Sequence, residues 1–137
     1  MQKKIRYTLG KEERLKSRKI IEQLFKEGKP FTAFPLRVIW KFLPEPNGNP
    51  LQAGFTVSTK YFKRAVDRNR IRRLIKEAYR LQKHALQTSL GERSLQLVIF
   101  IIYVGKEVPE YDLVVEKIAF VISKLQKIIN ENNSANN

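Results

Sequence analysis

Apolar positions along the chain recur with two different periods, and each period predicts its own kind of element. Ile20, Ile21, Leu24 and Phe25 share one face of a helix over 18–27, with Ser17 as its N-cap and Gly28, followed by Lys29-Pro30, as its stop. From 33 to 43 the period shortens to two. Leu36, Val38 and Trp40 alternate with Arg37, Ile39 and Lys41, which predicts a strand. PEPNGNP at 44–50, with three prolines and an Asn-Gly pair, predicts a hairpin-type connection to a second strand, LQAGFTVS. Helical spacing then returns over about 65–87, and SLGERS ends that helix with Gly91 nearby.

LQLVIFIIYV at 95–104 is nearly continuous in apolar, β-branched and aromatic residues, as expected of a central strand covered on both faces. A short further strand is expected near 105–109. Val114, Val115, Ile118, Val121, Ile122, Leu125 and Ile129 mark a last helix over 112–130. The pattern describes an α+β fold, a single domain with a mixed sheet of about four strands and three helices. Its expected divisions are a basic N-terminal arm over 1–13, a folded domain over 14–130 and a polar tail over 131–137.

With 137 residues the chain is long enough for one real core. Its net charge of +14 narrows the choice of partners to polyanions, nucleic acid first and an anionic membrane surface second. The absence of cysteine excludes disulfides, zinc knuckles and thiol catalysis, and the one histidine, His84, cannot build a metal cluster alone. MQKKIRYTLGKEER carries no apolar signal-peptide core, and LVIFIIYV is too short to span a bilayer, so a cytoplasmic protein without a membrane role is expected. No nucleophile and base pair, phosphate-cradling glycine loop or acidic metal cluster stands out. No catalytic residue and no metal ligand is therefore assigned to the polypeptide.

The stretch RAVDRNRIRRLIKEAYR, residues 64–80, holds six arginines and one lysine. Ile71, Leu74, Ile75, Ala78 and Leu81 form an apolar stripe expected to pack on the sheet, while Asn69, Arg72, Arg73, Lys76, Arg80 and Lys83 fall on the opposite side as neighbours. Arg68 and Arg70 flank that ridge, and the acids Asp67 and Glu77 lie off its centre. A face that is merely solvated mixes signs, because like charges at i, i+4 cost about 0.2–0.5 kcal/mol per pair. A one-signed, arginine-rich ridge with a single amide, Asn69, suits phosphate, since the guanidinium fork reaches two oxygens at once. The helix follows a strand and Lys60-Tyr61-Phe62-Lys63 rather than a helix and a short turn, which disfavours major-groove DNA reading. Aromatic residues on a sheet beside such a helix offer a stacking platform for unpaired bases, although neither an RNP motif nor a GxxG loop is present.

GFTVSTK at 54–60 followed by KRAVDRNRIRRLIKEAYR at 63–80 resembles the protein subunit of bacterial ribonuclease P, as do the LFKEGK helix end, the PLRVIW strand, the apolar third strand and the final helix in that order. The resemblance implies a fold like the second domain of a small-subunit ribosomal protein, with a left-handed βαβ crossover against the usual rule. It also implies that the partner is ribonuclease P RNA, one protein per RNA, and that the RNA performs a Mg²⁺-dependent endonucleolytic 5′ maturation of precursor tRNA with Mg²⁺ held mainly by the RNA. Carried onto this sequence, Lys60, Arg64, Arg68, Asn69, Arg70, Arg72, Arg73 and Lys76 would contact the catalytic RNA. Ile21, Phe25, Trp40 or Ile39, Thr56 and Ser58 would line a cleft for the single-stranded 5′ leader of precursor tRNA. Thr59 and Tyr61-Phe62 depart from the family's frequent second lysine and glycine-bearing turn. On the residues alone, an RNA-binding structural protein such as a ribosomal protein is the alternative.

Overall fold

The structure, a computed structural model, describes residues 9–44 and 49–135. Among these, a 3₁₀ turn at Lys11–Glu13 leads into α1 (Arg18–Glu27), β1 (Lys29–Ala33), β2 (Leu36–Phe42), β3 (Leu51–Val57), α2 (Ala65–Gln82), α3 (His84–Glu92), β4 (Leu97–Tyr103) and α4 (Tyr111–Ala135). One mixed sheet runs in the order β1-β2-β4-β3, antiparallel across its first three strands and parallel between β4 and β3.

α1 starts as expected, with Ser17 Oγ accepting a hydrogen bond from the Ile20 amide at 3.3 Å. Gly28 ends it for a different reason from the left-handed one that a terminal glycine usually supplies. Its φ is −67°, and a Cβ there would run into the Leu24 carbonyl oxygen and lie 2.6 Å from Ile39 Cγ2, so glycine is required by the last turn of its own helix and by the close approach of β2.

The fourth strand lies at 29–33, not at 105–109, where the chain is irregular. Pro30 hides it in the sequence. A proline is tolerated there because β1 is an edge strand, paired on one side to β2 across the Phe34-Pro35 turn. The expected hairpin between the second and third strands does not form, because β4 inserts between β2 and β3. Residues 45–48 of that connection lie outside the described residues, as do 1–8 of the expected arm.

Alternation along β4 divides the core in two. Leu97, Ile99, Ile101 and Tyr103 pack with Ile71, Ile75, Tyr79, Leu86 and the α4 residues Val114, Ile118, Val121, Leu125 and Ile129. Val98, with Phe100 and Ile102 at its margin, meets Leu15, Leu24 and Ile39 under α1. The predicted central strand is thus apolar on both faces because each face supports its own cluster.

Among the described residues four helices replace the expected three, since the long basic helix breaks at Lys83 and α3 continues through Gly91. At the other end α4 runs on to Ala135, into the segment read as a polar tail. Among the described residues no helix is long and apolar enough to cross a membrane.

Candidate nucleic-acid interface

α2 is held by Ile71, Ile75, Ala78 and Tyr79, all buried against β3, β4 and α4. That anchoring turns its basic side outward as one wall of an open groove of about 680 Å³. The groove is lined by Leu9, Arg14, Asn69, Arg72, Arg73, Lys76, Glu77 and Arg80. Asn69 Oδ1 accepts a hydrogen bond from Arg72 Nη2 at 2.7 Å, so the amide fixes one guanidinium and leaves its own N–H₂ as a donor. Partial burial lowers the pKa of Lys76, and the nearby charges of Arg14 and Arg72 lower it further.

Several ridge residues behave differently from the helical-wheel expectation. Lys83 is fully buried and pairs with Glu13, so it does not join the ridge. Leu81, expected in the apolar stripe, is exposed, and Tyr79 takes the inward place. Glu77 is no bystander: it pairs with Arg80, whose Nε lies 3.0 Å from its Oε2, and that hydrogen bond lowers the Glu77 pKa. Arg80 is thereby partly neutralised. Arg68 folds back to donate from Nη1 to the carbonyls of Phe62 (2.9 Å) and Lys63 (2.7 Å), tying the turn that precedes α2. Lys60, Arg64 and Arg70 are exposed but lie outside the groove's lining, Lys60 over the ring of Tyr61. Asn69, Arg72, Arg73 and Lys76 are the predicted residues that the fold brings together.

On the other side of the sheet, α1 leaves part of β4 uncovered. Phe25, 49% exposed, sets its ring 5.1 Å from that of Phe100 at an interplanar angle of 60°. Phe100 can lie there because Gly54 faces it across the parallel ladder; a Cβ on Gly54 would fall 2.5 Å from Phe100 Cε2. Ile21 joins the same cluster, and Thr56 pairs with Ile102 on the same face as Gly54. Ser58 is fixed just beyond β3, its amide donating to Tyr103 O at 3.0 Å and its Oγ accepting from the Lys60 amide.

Trp40 is not part of this surface. Register puts Ile39 on the α1 side, where it is buried, and sends Trp40 to the opposite face, edge-on to Phe42 and beneath Lys29. The residues that sequence reasoning missed are Phe100 on this surface and Arg14 in the groove. Phe100 was legible from alternation in β4; Arg14 had no local signal.

The family model described as Ribonuclease P matches residues 9–126. The chain belongs to the ribonuclease P protein family. Its α2 groove and its half-covered sheet therefore sit on a ribonuclease P protein scaffold. The ribonuclease P protein component of Porphyromonas gingivalis (strain ATCC 33277) is 41% identical over 105 residues, 77% of each chain. That of Chlorobium phaeobacteroides is 30% identical over 129 residues, covering 87% of this chain and 88% of the relative. The solved Staphylococcus aureus RNase P protein, 20% identical, shares the fold with a TM-score of 0.64 over 85% of this chain and 97% of that one.

Proposed function

We propose that this chain is the protein subunit of the ribonuclease P ribonucleoprotein, one copy per RNA in the cytoplasm, and that it assists 5′ maturation of precursor tRNA without donating a catalytic side chain. The observation that carries the reading is the groove on α2, where Arg72, Arg73 and Lys76 converge around Asn69 in a chain that matches the family over residues 9–126. Guanidinium groups fixed on a rigid helix suit the backbone of a structured RNA, and the catalytic RNA is the partner that the family relationship points to. Lys60, Arg64 and Arg70 extend the same charge along the surface.

The second surface serves the 5′ leader. Phe25 and Phe100 offer aromatic area to unpaired bases, with Ile21, Thr56 and Ser58 along the edge. In this scheme Mg²⁺ belongs to the RNA, and the cationic groove acts by organising the phosphates that hold it.

The test mixes the protein with a bacterial ribonuclease P RNA and precursor tRNA at low Mg²⁺. The expected result is faster release of the 5′ leader and a lower Mg²⁺ requirement. No gain over the RNA alone overturns the proposal.

A further inference from the structure

We infer that Arg14 completes an RNA-phosphate site with Arg72, Arg73 and Lys76, and that a Glu13–Lys83 latch delivers it there. The inference rests on the RNA-binding reading of the α2 groove and extends it to a segment more than fifty residues away in sequence. Arg14 and Leu9 line the groove wall facing α2, so the site is built from two parts of the chain.

The latch consists of the Glu13 carboxylate and its donors. It accepts from Lys83 Nζ, from Gln87 Nε2 at 2.6 Å and from the Gly10 amide at 2.7 Å. The Lys83 side chain is 1% exposed and that of Glu13 12%, which makes the pair interior rather than superficial. On the other side of Arg14, the Leu15 amide donates to Ala53 O at 3.0 Å and the Leu15 side chain is buried. Arg14 itself bridges to Ala53 beside β3 and donates from Nη2 to Leu9 O at 3.4 Å. Both neighbours of Arg14 are thus fixed, while Arg14 is exposed at the groove.

This arrangement brings like charges together. The groove's acid, Glu77, is engaged by Arg80, and Glu13 is committed to Lys83. Glu12 is exposed but does not line the groove. Holding Arg14, Arg72, Arg73 and Lys76 around one depression is unfavourable in the free protein and becomes favourable when an anion enters. A polynucleotide backbone, with successive phosphates at fixed spacing, matches a site spread over two elements better than a single small anion does.

The experiment measures affinity for a bacterial ribonuclease P RNA transcript against salt concentration, using the full chain and its Arg14→Ala, Arg72→Ala and Lys83→Met variants. Arg14→Ala should weaken binding roughly five- to tenfold at low salt and reduce the slope of log K against log salt by about one, with an unchanged melting temperature. Lys83→Met should reproduce that loss with Arg14 present, and the double variant should lose little more. An unchanged slope for Arg14→Ala, when Arg72→Ala reduces it, overturns the site. Additive losses in the double variant overturn the latch, and should Lys83→Met fail to fold, Glu13→Gln replaces it in the same cycle. If the wild-type chain binds this RNA no better than an unrelated one, the ribonuclease P reading fails instead, and the Arg14 slope on the unrelated RNA still decides the site.

Discussion

Lys83 reaches across seventy positions of sequence to donate to the carboxylate of Glu13, and it does so in the interior, at the point where the basic helix breaks into α2 and α3. Burial raises the pKa of Glu13, but the hydrogen bond from Lys83, the Gly10 amide, the Lys83 charge and Gln87 together outweigh it, so the net shift is downward. A carboxylate whose folded pKa is depressed contributes stability above its unfolded pKa of about 4.3, and that contribution disappears as pH falls through the folded value. Thermal melts from pH 6 to pH 3 should therefore show a decline beginning near pH 4.5 that is smaller in Glu13→Gln than in the wild type. At neutral pH Glu13→Gln should itself destabilise by about 3–5 kcal/mol, because the buried Lys83 side chain loses its carboxylate.

Arg68 and Arg72 stand one turn apart on α2 and should separate in their effects. Arg68→Ala removes two hydrogen bonds to the carbonyls of Phe62 and Lys63, so chemical denaturation should report a loss of about 1–3 kcal/mol. Arg72→Ala should leave stability within about 0.5 kcal/mol and instead lower the salt slope of RNA binding by about one. A stable Arg68→Ala with a flattened slope would return Arg68 to the phosphate ridge.

Gly54→Ala tests the seat of Phe100. The added methyl group meets the ring at 2.5 Å, so Phe100 must move, and overpacking of this kind costs about 1–3 kcal/mol. Because Phe25 packs on the same ring, the variant should also weaken binding of leader-bearing precursor tRNA, read by titration against a leaderless control.

Phe25→Ala should cost about 1 kcal/mol of stability or less, since half of the residue is already in water. Its effect should appear in binding, with precursor tRNA losing more than mature tRNA. Equal losses for both would assign Phe25 to packing alone.

The sequence by itself determined α1 and α4 with their apolar faces, the central apolar strand, and a helix with an apolar stripe beneath an arginine ridge. Each of these is a local property, written in periods of 3.6 or 2 and in caps such as Ser17. Only the tertiary structure decided what long-range pairing controls. Pro30 sits in a strand because β1 is an edge; β4 separates β2 from β3; and the register that buries Ile39 under α1 turns Trp40 to the other face. The same holds for charge. Lys83 follows the ridge residues at helical spacing and is indistinguishable from them on a wheel, yet it is buried because Glu13 arrives from the N-terminal segment. Arg14 carries no motif, and only the fold brings it into the groove. A buried ammonium needs a partner, and where that partner lies depends on the fold as a whole.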